Sequence, residues 1–113
     1  MENLTDFFKV LSDETRIRIL VLLYNRKLCV CQLCGIMNES QPKISKHLAK
    51  LRDLGFVKIE RKEKFIYYYL YFENKLFEEI LKSIVENSKC NEIIKNDINK
   101  IVGSEKYLEI CQR

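Results

Sequence analysis

The chain has 113 residues, 47% of them apolar and 32% charged, with a net charge of +4. That length holds one domain around one core, and the composition lies far from that of disordered chains. No apolar run approaches the roughly 18 residues of a membrane span, and the acidic opening lacks the basic-then-apolar order of a secretory signal. The expected location is the cytoplasm, with no membrane partner.

In chain order, Leu4, Phe7, Phe8 and Leu11 follow helical spacing and predict a first helix. Ser12 reads as the N-cap of a second helix, with Asp13 and Glu14 in the dipole-favoured first turn. Ile17, Ile19, Leu20 and Leu23 supply its buried side as far as about Tyr24. After the polar break Asn25-Arg26-Lys27, a short third helix runs from about Val30 to Met37 and ends near Asn38. Ser40 is a second N-cap, with Pro42 tolerated in the first turn, and Ile44, Leu48 and Leu51 mark one inward side of a helix reaching Leu54. Gly55 supplies the left-handed stop, and Phe56 packs back over the helix end.

The period then changes from about 3.6 to 2. Val57, Ile59 and Arg61 alternate with polar residues, as Ile66, Tyr68 and Leu70 do with tyrosines, and the tip Lys62-Glu63-Lys64 joins them into a hairpin. Leu76, Phe77, Ile80, Leu81, Ile84 and Val85 line a long helix; Ile93, Ile94, Ile98, Ile101 and Val102 extend helix to near the C-terminus. The fold class expected is mainly α with a small β-hairpin: a single winged helix-turn-helix domain over residues 1–113.

Charge is not spread evenly. Residues 41–64 hold 8 basic and 3 acidic side chains, whereas residues 1–40 balance at 5 and 5. A positive excess on the second half of a helix-turn-helix suits double-stranded DNA. The face opposite Ile44, Leu48 and Leu51 carries Pro42, Ser45, Lys46, Ala49, Lys50 and Asp53, with Gln41 and Lys43 at the N-terminal end. Small residues at Ser45 and Ala49 let such a helix sit deep in a major groove. Gln41 matches adenine, while Lys43 and Lys46 match guanine or phosphate. Lys62 and Lys64 at the hairpin tip reach phosphate or minor groove if the hairpin is a wing, or serve solubility alone. His47, the single histidine, lies beside the inward stripe and reads as a packed side chain.

Five cysteines, an odd number, argue against a disulfide framework and toward metal or redox chemistry. Cys29, Cys31 and Cys34 fall within six residues; Cys90 and Cys111 carry no spacing signal and read as packing residues. On an ideal helix Cys31 and Cys34 share a face, but Cys29 lies about 200° from Cys31. Convergence of all three therefore requires Cys29 to precede the helix, or the first turn to unwind. Three thiolates without a nearby histidine or carboxylate suit a soft three-coordinate ion. Zinc or an iron–sulfur cluster needs a fourth ligand from Cys90, Cys111 or outside, and buried structural thiols are the remaining reading. An enzyme is not expected: phosphatase-like oxyanion reductases need arginine six residues after the cysteine, and here those positions hold Gly35 and Ser40.

Three segments resemble the ArsR/SmtB family of metal-responsive repressors. Leu11-Ser12-Asp13-Glu14-Thr15-Arg16-Ile17-Arg18-Ile19-Leu20 is similar to its second-helix signature. Leu28-Cys29-Val30-Cys31-Gln32-Leu33-Cys34 is similar to the arsenic-site segment of its arsenical-resistance branch. Ser40-Gln41-Pro42-Lys43-Ile44-Ser45-Lys46-His47-Leu48 resembles that branch's recognition helix. The resemblance covers about residues 4–72. It implies a homodimer formed by the first and last helices and bound to operator DNA. Release would follow when As(III) or Sb(III) takes the thiols of Cys29, Cys31 and Cys34, with Gln41, Ser45 and Lys46 as DNA contacts. Cd, Pb, Zn, an iron–sulfur cluster or oxidation are alternative signals through the same cysteines. Lys27 and Gln32 stand where the branch commonly has acids, and the hairpin tip is one residue shorter and lacks its usual glycine.

Overall fold

The computed structural model describes residues 2–108. In chain order these form α1 (Glu2–Leu11), α2 (Glu14–Asn25), β1 (Leu28–Cys29), α3 (Val30–Met37), α4 (Gln41–Asp53), β2 (Val57–Lys62), β3 (Phe65–Leu70), α5 (Lys75–Asn87), α6 (Glu92–Asn99) and a 3-10 turn at Ser104–Tyr107. The expected helices and hairpin are present, and the sheet gains a strand. β1 pairs antiparallel with β3 (Leu28 opposite Tyr68, Cys29 opposite Tyr67), giving the order β1-β3-β2. Two residues show no period, which is why alternation could not reveal this strand.

The core gathers α1 to α4 over the sheet, with Ile19, Leu20, Leu22, Leu33, Ile36, Ile44, Leu48 and Leu51 all buried. An aromatic cluster ties α1 to α5 and to the residue that follows Gly55. Phe7 stacks on Phe77 of α5 at 4.6 Å between ring centroids and meets Phe56 edge-on at 5.4 Å. Gly55, at φ +83°, reverses the chain after α4, so that the Phe56 amide reaches back to the Leu51 carbonyl (2.9 Å). This is the glycine-terminated helix end anticipated from sequence.

Four local expectations are corrected. Ser12 does not cap α2: Asp13 does, its Oδ1 accepting from the Arg16 amide at 3.1 Å, while the Ser12 hydroxyl donates to the Lys9 carbonyl. A carboxylate at this position supplies both the acceptor and the charge that the helix N-terminus favours. The hairpin tip is two residues, because Lys62 pairs opposite Phe65; Glu63 takes the left-handed position at φ +58°, where such turns favour glycine. Helix does not continue through residue 102: α6 stops at Asn99, and Gly103 at φ +89° turns the chain into the 3-10 segment. Leu76 and Val102 face outward, at 46% and 82% exposure, rather than lining helix interiors. Cys111 lies outside the described residues.

Candidate thiol site and nucleic-acid interface

α3 and α4 are joined by a turn in which Asn38 adopts a left-handed conformation (φ 54°, ψ 48°), the short polar side chain tolerating what a β-branched one would not. Ser40 caps α4 as expected, its hydroxyl accepting from the Lys43 amide at 3.4 Å, with Pro42 inside the first turn. Ile44, Leu48 and Leu51 face the core; Gln41, Lys43, Lys46, Ala49 and Lys50 are exposed, and Ser45 is half-buried between them. Two of these groups are already engaged. Gln41 donates to the Ser45 hydroxyl at 2.9 Å, and Lys43 pairs with Glu39 at 3.0 Å. Lys46 and Lys50 leave α4 as outward cations. Lys62 and Lys64 are exposed on the hairpin, but only Lys64 belongs to the two-residue tip.

His47 is half-buried beside Asp13. Burial pushes its pKa below 6.5, with the Asp13 carboxylate pulling the other way, as suits a packed side chain.

Cys29 is the N-cap of α3 in extended conformation (φ −91°, ψ 169°), so it precedes the helix. That position meets the first of the two conditions under which the three thiols could converge. The residue is 3% exposed and locked from two sides: by strand pairing opposite Tyr67, and by its amide donating to Gln32 Oε1 at 3.1 Å. Cys29, Cys34 and Cys90 are free thiols, whereas Cys31 is disulfide-bonded. Cys34 is half-buried and its pKa is raised, first by burial and then by the neighbouring Cys29. Among the described residues no group of three His, Cys, Asp or Glu side chains stands ready to hold a metal ion. Lys27 does not serve the thiols, since its ammonium pairs with Glu60 on β2 at 2.6 Å.

Sequence reasoning passed over the groups that fasten α3. Arg18 on α2 forms a two-point pair with Asp97 on α6 (2.8 and 2.9 Å) and donates to the Met37 carbonyl at the end of α3 (3.3 Å). Asp97 is 2% exposed. Gln32 Nε2 donates to the Ser104 hydroxyl at 3.1 Å, both residues being buried. Nothing local in the sequence marks a partner 79 or 72 residues away.

Helices α2 to α4 followed by a β-hairpin packed on the same core define a winged helix-turn-helix protein. Residues 13–58 match the model of the family described as bacterial regulatory protein, arsR family. Over 86 residues the chain is 35% identical to an HTH-type transcriptional regulator of Methanocaldococcus jannaschii, covering 75% of this chain and 94% of the other. It is 48% identical over 64 residues to the arsenical resistance operon repressor of Escherichia coli K12, covering 56% of this chain and 55% of that one. The match thus spans little more than half of that repressor's length. The crystal structure of the transcriptional regulator HlyU from Vibrio vulnificus CMCP6 superimposes with a TM-score of 0.64 at 32% identity, covering 71% of this chain and 81% of that one. The chain belongs to the arsR family of bacterial regulatory proteins.

Proposed function

We propose that this chain is a DNA-binding repressor that leaves its operator when As(III) or Sb(III) is captured by Cys29, Cys31 and Cys34. The observation that carries the reading is the position of Cys29. It caps the N-terminus of α3, with Cys31 and Cys34 in the next two turns, and α3 leads through three residues into the DNA-facing α4. The donor set is purely soft, which suits a trivalent metalloid bound by three sulfurs. In the fully reduced protein the reaction balances as As(OH)3 plus three thiols giving a tris-thiolate and three waters, so no base is needed.

Because Cys29 is held by strand pairing and by Gln32, and Cys31 is disulfide-bonded, a thiol reductant must first open that disulfide with two electrons and two protons, and the site then assembles on binding. Closing it moves the start of α3, and with it the seat of α4. A coupling of about 1–3 kcal/mol, roughly 5–150-fold in DNA affinity, is typical of such links. The protein is proposed to act as a homodimer through its first and last helices, a reading that exposed Phe8 (52%), Leu76 (46%) and Ile93 (44%) support. Gln41, Ser45 and Lys46 are proposed to meet base edges, with Lys43, Lys50, Lys62 and Lys64 meeting phosphates. X-ray absorption at the arsenic edge of the fully reduced, arsenite-loaded protein tests the ligand set: three sulfur neighbours are expected, and an oxygen-rich shell contradicts it.

The engaged state of Cys31 favours a second reading, in which oxidation of the same cysteines is the signal. Operator affinity measured in reduced and oxidised protein without any metal separates the two.

A further inference from the structure

The C-terminal segment after α6 lies beyond the family-matched residues, yet it makes three kinds of contact with the thiol-bearing helix. At the N-terminal end, buried Ser104 accepts from Gln32, whose other amide atom holds the Cys29 N–H. In the middle, the ring of Tyr107 lies directly on Gly35, so close that a methyl group there would collide with the ring. At the edge, Glu105 pairs with Arg26, just before β1, at 3.3 Å. Beside these contacts opens a cavity of about 500 Å³ bounded by Gln32, Lys62, Tyr67, Glu105 and Leu108. One wall is therefore the wing and the other the C-terminal turn, and Gln32 at the back leads to Cys29.

We infer that residues 104–107 form a strap over the thiol site, hinged at Gly103, which must lift before a ligand reaches Cys29. A glycine in the interior of α3 costs helix stability relative to alanine, and close approach of the strap accounts for it. The Gln32–Ser104 hydrogen bond links the strap to the helix cap, so strap opening and loosening of Cys29 are one event. Such a local opening proceeds without global unfolding, in the manner of small cooperative units.

The inference deepens the proposed function, and its test uses no metalloid, so that the two fail separately. Full-length reduced protein is treated with iodoacetamide, and alkylation of each cysteine is followed by peptide mass spectrometry. Exposed Cys90, in the turn between α5 and α6, serves as the internal control. Ser104→Ala removes one hydrogen bond and is expected to speed labelling of Cys29 about 2- to 12-fold, the change in open population that such a bond implies. Gly35→Ala improves the helix while displacing Tyr107, and is expected to speed it at least as much, Cys90 remaining unchanged. Unaltered Cys29 labelling in Ser104→Ala overturns the strap. So does parallel acceleration at Cys29 and Cys90, which signals general loosening. Should Gly35→Ala fail to fold, Ser104→Ala decides alone.

Discussion

Asp97→Ala is the substitution whose cost the structure fixes best. The carboxylate is 4% exposed at its side chain and receives two bonds from Arg18, which is itself 15% exposed. Deleting one partner of a buried ion pair costs about 3–5 kcal/mol, mostly because the other charge is stranded. Arg18 keeps some solvent and the Met37 carbonyl, so the lower end, about 3 kcal/mol, applies. With a urea m-value of about 1.5 kcal/mol/M, suitable for a small chain, the midpoint falls by about 2 M. Circular dichroism in urea, at one fixed protein concentration because association shifts apparent stability, reads this directly. The paired replacement Arg18→Met with Asp97→Leu removes both charges and is expected within about 1 kcal/mol of the parent. A loss below about 1 kcal/mol in Asp97→Ala, or a double variant as damaged as the sum of the singles, refutes the assignment of a stranded charge.

Asp13 offers a pH test. Burial raises its pKa, but the Arg16 amide and then the charges of His47 and Arg16 outweigh this and hold it below 3.8. A depressed carboxylate stabilises above its unfolded value and loses that contribution as pH falls through the folded one. Asp13→Ala should therefore cost about 0.5–2 kcal/mol at pH 7 and progressively less as pH falls through the acid range, compared by urea unfolding. Cys34, raised above 9.0 by burial and by Cys29, is protonated at neutral pH. Cadmium capture must then expel protons, and its affinity should climb between pH 6 and 8, up to about tenfold per unit for each thiol. Arsenite capture releases water instead and should stay nearly flat in calorimetric titrations; an equally steep arsenite curve contradicts the tris-thiolate. On DNA, Lys50→Ala should weaken all sequences alike and lower the salt slope by about 1, while Gln41→Ala should relax base preference at a cost of about 1–3 kcal/mol. Anisotropy titrations on matched and scrambled duplexes at several salt concentrations distinguish them.

Local signals in the sequence were read correctly where the physics was local. Ser40, Pro42 and Gly55 mark helix ends through their own side chains or backbone freedom, and Ile44, Leu48 and Leu51 share a face by period alone. Cys29, Cys31 and Cys34 stood out by spacing, and the geometric conflict among them pointed to the residue that precedes α3. What escaped turns on a choice between adjacent residues or on tertiary partners. Ser12 and Asp13 are both capping residues in adjacent positions, and only the Arg16 amide decides between them. Gln32 looked like a missing acid; its role follows from Ser104, far along the chain. Strand β1 exists because β3 runs beside it. Gly35 carried no turn signal, since its lack of a side chain serves Tyr107 rather than the backbone.

Thiol capture at the start of α3 is proposed to weaken the grip of α4 on DNA. Arsenite titrated into operator-bound, fully reduced protein measures it most directly. The parent should release DNA, with affinity falling about 5–150-fold, while Cys29→Ser, Cys31→Ser and Cys34→Ser should each remain bound. Normal release by all three serine variants, or undiminished DNA affinity in a parent loaded with one arsenic per site, contradicts the account.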